Sequence, residues 1–174
     1  MANKTPDAIA LLIGDHRKVA GLFKKFEKAK GPQKGKLAHE ICLELSVHTM
    51  IEETLFYPAL RGKVEDDLLD ESFVEHDSAK MIIADVLDNR VGSAFYDAKI
   101  QVLSELIKHH VKEEEQRGGL FTQARKAKLD LVALRLRMEA SKEKLAAEYK
   151  RSIPAPTVRA LHKPKVKAGK PVGR

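Results

Sequence analysis

Six residues of this 174-residue chain combine metal-binding side chains with helical spacing: His16, His48, Glu52, His76, His110 and Glu114. In His48-x-x-x-Glu52 and His110-x-x-x-Glu114 an imidazole precedes a carboxylate by four residues. Positions i and i+4 lie one turn apart on the same helix face. Each pair therefore aims a nitrogen and an oxygen donor in one direction, and His16 and His76 each add an imidazole. This donor set suits iron, with manganese or zinc also able to fit. An ionised glutamate in a dry helical core is costly unless it is paired or metal-bound. No Lys or Arg stands on the inward stripe beside Glu52 or Glu114. Two divalent cations would answer both carboxylates, and a glutamate spanning them sets a separation suited to a small diatomic or peroxide. The expected cofactor is two iron ions. The expected small ligand is dioxygen, nitric oxide or peroxide. No residue is assigned to catalysis or to an organic cofactor.

Four amphipathic stripes must position these groups. Thr5-Pro6 is a helix start, with Thr5 as cap and Pro6 in the first turn. Ile9, Leu12, Ile13, Val19, Phe23 and Phe26 then repeat at three and four, with His16 in register. Gly31-Pro32 and Gly35 are expected to break this helix. A second stripe, Leu37, Ile41, Leu45, Leu55 and Phe56, contains His48 and Glu52, and Pro58 is expected to kink its last turn. A third, from Leu68 and Leu69 through Phe73 to Ile83 and Val86, contains His76. A fourth, Tyr96, Ile100, Leu103 and Ile107, leads to His110 and Glu114 and ends at Gly118-Gly119.

Four such segments with short connections predict an all-α, up-down-up-down four-helix bundle. Leu120 to Arg151 is expected to add a C-terminal helix, or a helix pair, against the bundle or a protein partner. Residues 1–150 are thus read as bundle plus appended helix. Residues 151–174, rich in Lys, Pro and Ala, are read as a disordered basic tail.

The other histidines fall off the stripes: His39 and His109 point away from the core, and His162 lies in the tail. His109 and Glu113 also stand four apart. His110 and Glu114 are preferred because they continue the Ile107 stripe, and because Glu52-Glu53 and Glu114-Glu115 then match. Glu53, Glu75 and Glu115 are expected to be solvated, or at most to hydrogen-bond behind the ligands. Phe56, Tyr57 and Phe121 are expected in the core.

Composition removes other classes. The single cysteine, Cys42, permits no internal disulfide or thiolate cluster and reads as a buried structural thiol. No stretch approaches the roughly 20 apolar residues of a membrane span. The short apolar run after residue 7 lacks a cleavage site, so the expectation is a cytoplasmic chain with no membrane contact. Six of the net +7 charges belong to residues 152–174. That tail has no aromatic residue to stack on bases, so no specific nucleic-acid binding is expected.

The order His16, His48-x-x-x-Glu52, His76, His110-x-x-x-Glu114 resembles the hemerythrin-like HHE cation-binding family, over about residues 5 to 140. The flanks GDHRKV, HTMIEETLFYP, EHD and HHVKEEE carry the likeness further. The resemblance implies a non-haem di-iron centre bridged by the two carboxylates, with histidines at the remaining positions. One position departs from the dioxygen carriers of that family, whose third helix supplies two histidines a turn apart. Here Lys80 stands four residues after His76. The missing imidazole leaves more open coordination. It favours sensing, peroxide or nitric-oxide chemistry, or iron handling and repair over reversible dioxygen transport.

Overall fold

A computed structural model describes residues 5–161 of the chain. The described residues hold helices and no strands. The helices are α1 (Ala8–Lys28), α2 (Pro32–Ile51), a short α3 (Tyr57–Leu60), α4 (Asp66–Leu87), α5 (Tyr96–Glu115), α6 (Leu120–Lys126) and α7 (Leu131–Tyr149). A π-helical turn, Glu52–Phe56, joins α2 to α3.

The boundaries differ from the expectation in two places. Asp7, not Thr5, caps α1, its carboxylate accepting from the Ala10 N–H at 2.9 Å. An ionised cap at the positive end of the helix dipole is at least as good as a hydroxyl. Gly35 does not break anything: Pro32 opens α2 at its first turn and Gly35 lies inside the helix. A Cβ there would sit 3.0 Å from Val91 Cγ2, so this glycine allows the loop before α5 to approach closely.

The apolar stripes sort into two clusters that alternate along the chain. α1 passes from Ile9 and Leu12 in one cluster to Val19, Phe23 and Phe26 in the other. α2 runs the opposite way, from Leu37, Ile41 and Leu45 back toward Ile51 and Phe56. α4 goes from Leu69 to Ile83, and α5 starts again at Ile100 and Leu103. Alternation of this kind requires helices running up, down, up and down. In α1, α2 and α4 the ring histidine falls between the two clusters, and in α5 His110 lies between Leu103 and the Leu120 that opens α6. Each fully buried Leu, Ile or Phe contributes about 1.5–3 kcal/mol, so two apolar plugs hold a polar layer between them.

The C-terminal segment forms the helix pair α6 and α7. α7 covers α1 and α2, burying Leu134, Met138 and Tyr149. This explains why α2 is buried around most of its girth: Leu43 and Val47 meet Tyr149 on a face that the single-stripe reading left to solvent. Cys42 is fully buried, as expected, and burial pushes its thiol up to about 12. Residues 152–161, assigned by sequence to the tail, run without helix along α2 and α4, where Ile153 packs on the core. The remainder of that tail, with His162, lies outside the described residues. No helix among the described residues is long and apolar enough to cross a membrane.

Candidate metal centre

All six sequence-predicted residues meet in the polar layer, each with 5 % or less of its surface exposed. They close a ring. His16 and His48 place their Nε2 atoms 3.2 Å apart, as do His76 and His110. Glu52 Oε2 lies 3.2 Å from His48 Nε2 and 3.3 Å from His76 Nε2, linking the two histidine pairs on one side. Glu114 Oε2 lies 3.4 Å from His16 Nε2 and 3.7 Å from His110 Nε2, linking them on the other. Two donor groups within a 4.8 Å span emerge, His16–His48–Glu52 and Glu52–His76–His110, with Glu52 common to both. His109 is exposed and turned outward, so the His110–Glu114 pair is the one brought to the centre.

The outer nitrogens are held as deliberately as the inner ones. Each Nδ1 meets a carboxylate: Glu115 at 2.8 Å from His16, Asp15 at 3.4 Å from His48, Glu53 at 3.2 Å from His76 and Glu75 at 2.8 Å from His110. A carboxylate there favours the Nδ1–H tautomer and turns the Nε2 lone pair inward, which is the form that binds a cation. Of the two readings of Glu53, Glu75 and Glu115, solvated or hydrogen-bonded behind the ligands, the second is the one observed: all three hold a ligand-position histidine, and Glu53 is buried. Asp15 was missed. Its signal was its place beside His16, on the rim of the same helix face.

Tyr57 was also missed as a site residue. In an α-helix Phe56 would follow Glu52 on the same face. The π-helical turn adds a residue, the Tyr57 N–H bonds the Glu52 carbonyl, and Tyr57 swings inward instead. Pro58, which has no N–H, follows directly, so the expected disturbance of this turn takes the form of a π-bulge. The Tyr57 hydroxyl stands 3.1 Å from Glu114 Oε1, 3.3 Å from Glu52 Oε2 and 3.3 Å from His76 Nε2.

Charge is crowded within this dry layer. Burial opposes charge on His48, yet Glu52 and Asp15 raise it to about 10. Burial and the neighbouring Glu52 charge raise Glu114 to about 8. Burial and the His48 cation lower His16 to about 4. Glu52 stays well below the usual carboxylate range because His48 and His76 outweigh its burial. His48 and Glu114 thus hold their protons more tightly than exposed groups do. Glu52 Oε1 and Glu114 Oε2 nevertheless have no hydrogen-bond partner. Orphaned buried carboxylate oxygens are costly. Facing inward lone pairs from four imidazoles, they fit cations in the ring, whose binding would expel those protons.

Above the histidines Val19, Leu45, Ile107 and Val111 line a void of about 10 Å³. That is near the space of one water molecule. Lys80 does not enter the ring. Its ammonium bonds Glu53 at 2.6 Å and Asp77 at 3.3 Å.

The family model described as Hemerythrin HHE cation binding domain matches residues 7–117. A crystal structure of a hemerythrin HHE cation binding domain-containing protein from Mycobacterium kansasii superposes with a TM-score of 0.72 at 23 % identity, over 84 % of this chain and 93 % of that one. No curated protein sequence matches the chain.

Proposed function

Since the chain belongs to the hemerythrin HHE cation-binding family, a metal-binding family, we propose that its six-residue ring holds two iron ions and takes up dioxygen or nitric oxide, for sensing or a stress response. The carrying observation is Glu52, shared by two histidine pairs and left with an orphaned buried oxygen. On this reading His16, His48, His76 and His110 would hold the ions together with Glu52 and Glu114. Manganese and zinc suit the same donors, and availability decides among them in such sites. When bound, a pair of irons supplies redox electrons and an open coordination position.

The chain's own residues set the conditions. Asp15, Glu53, Glu75 and Glu115 orient the imidazoles. Tyr57 donates toward the carboxylates from their side of the ring. Its phenol is held far above its usual range by burial and by Glu114 and Glu52, so it keeps its proton. The small apolar void above the histidines supports a diatomic ligand over a larger one.

Anaerobic reconstitution with ferrous iron tests this reading. Wild-type protein should hold about two irons per chain and develop oxo-bridge absorption in air. His48→Ala and Glu52→Ala should lose both properties while keeping their helix content. Equal metal content in all three proteins would remove the proposal.

Lys80 favours a second reading, because its ammonium is committed to Glu53 and Asp77 and offers nothing to the ring. More open coordination suits turnover of peroxide or nitric oxide, or the donation of iron for repair of iron centres. Steady-state assays with a chemical reductant decide between the two. Rates no higher than those of free iron leave the sensing reading.

A further inference from the structure

Residues 152–161 form a strap across the groove between α2 and α4. Its far end is anchored on one carboxylate: Asp77 Oδ2 accepts the backbone N–H groups of Arg159, Ala160 and Leu161 at 2.8, 2.6 and 3.0 Å. Its near end is anchored by Ile153 on the core. Between these anchors the strap does not fill the groove. A cavity of about 280 Å³ remains beneath it.

The lining dictates what fits. Met50, Ile83 and Leu87 form the floor, and Pro154 and Pro156 form part of the roof. Neither proline has an N–H to satisfy, which thins the polar groups of the roof at that end. Charge is confined to one end and balanced there. Lys80 pairs with Glu53 and Asp77, and Arg159 Nε stands 3.6 Å from Glu53 Oε2. Two cations face two anions, so a charged ligand of either sign would meet a like charge. The hydroxyl-bearing Ser46 and Thr49 add uncharged polar groups to the wall. A 150 Å³ apolar cavity accommodates benzene. Nearly twice that volume accommodates two fused rings.

We propose that the cavity under the strap is a binding site for a small, uncharged, largely apolar molecule of about two-ring size. Its polar end lies one residue from the ring, because Glu53 lines the cavity and also bonds His76 Nδ1. Thr157 in the strap accepts from Lys80 at 3.3 Å, which ties the roof to the same cluster. A ligand in the cavity therefore holds the strap down against Lys80 and Glu53. The site itself stands on its own lining and is independent of which metal the ring holds.

Indole is a suitable probe: uncharged, two-ringed and able to donate one hydrogen bond. Titration calorimetry of the full metal-loaded chain should show one saturable site. Hydrogen exchange at the Arg159–Leu161 amides should slow when indole is bound. Ala84→Phe places a ring in the cavity from the α4 wall and should abolish both effects with metal content and melting temperature retained. Should that variant lose stability, Ala155→Phe fills the same space from the strap. Absence of saturable binding up to the solubility of indole would overturn the proposal. So would undiminished binding in both filled variants.

Discussion

The segments His48-x-x-x-Glu52-Glu53 and His110-x-x-x-Glu114-Glu115 are written alike, yet the fold treats them differently. Each contributes one histidine and one glutamate to the ring, and each uses the following glutamate to hold a histidine on another helix. Glu53 does so with 2 % of its side chain exposed, against Lys80 at 13 %. Glu115 does so with 20 % exposed, against Arg17 at 63 %. The first segment continues through a π-bulge into Tyr57, and its Glu53 lies under the strap. The second stops at Gly118 (φ +85°) and Gly119, where an added Cβ would overlap the Glu113 carbonyl. Five residues past Glu52 stands a phenol, and five past Glu114 stands a glycine. One local motif thus produces a dry, clamped half and an open half.

The largest expected contrast is between Glu53→Ala and Glu115→Ala in metal-free protein. Removing Glu53 leaves the largely buried Lys80 with Asp77 as its remaining anion and takes the partner from His76 Nδ1, which costs about 3 kcal/mol, the low end for breaking a buried pair. Removing Glu115 from a solvent-facing pair costs about 1 kcal/mol. Urea denaturation at neutral pH measures both, and equal losses would break the asymmetry. The sign with pH is the same for the two. Burial opposes their ionisation, but His76 and Lys80 outweigh it at Glu53, and Arg17 and His16 at Glu115, so both stay below the usual 4.5. Their contribution is in place above that value and is lost as pH falls through the depressed folded-state pKa.

Tyr57→Phe sharpens the contrast next. The ring of the side chain stays packed on Phe73 and His76, and only the hydroxyl contacts to Glu52, Glu114 and His76 Nε2 go. Loss of such a partner weakens metal binding by about 10-fold or more. A chelator competition assay should show faster loss of metal, with melting of the metal-free protein little changed.

The ring was legible because its rule is local. One helix period carries a stripe, and each ligand continues a stripe whose neighbours are Leu, Ile, Val or Phe. What lay beyond that rule was not legible. Asp15, Glu53, Glu75 and Glu115 act across helices, and which carboxylate meets which Nδ1 depends on how helices are rotated against each other. Tyr57 is invisible to a 3.6-residue period because a π-turn shifts it by one position. Lys80 reads as a lost ligand in sequence, whereas in space it clamps Glu53 and the strap. Thr5 lost to Asp7 because two good caps stood two residues apart, and spacing alone did not choose.

A smaller effect belongs to the strap. Asp77→Asn keeps the acceptor that three backbone N–H groups use but removes its charge. Hydrogen bonds to charged groups contribute about 1.5–3 kcal/mol and neutral ones about 0.5–1.5, so global stability should fall by about 1 kcal/mol. Exchange at residues 159–161 should quicken by a larger factor than elsewhere. No change at those amides would mean that the clamp does not depend on Asp77.

The smallest effect should come from Arg17→Ala, on the open half. Arg17 forks onto Glu115 at 3.1 and 2.5 Å, geometry that would be strong if dry. Its side chain is nearly two-thirds exposed, so water and salt screen it, and the expected loss is within 1 kcal/mol. It should shrink further in 1 M salt, where the screening length is about 3 Å. Glu115 keeps His16 at 2.8 Å without Arg17, so metal content should stay at the wild-type value. Lys80→Ala is the matching change on the dry half. It leaves Glu53 buried with only His76 and the more distant Arg159, and should cost more, with little dependence on salt. If Arg17→Ala proved the more damaging of the two, or lost metal where Lys80→Ala did not, the division into a clamped half and an open half would be wrong.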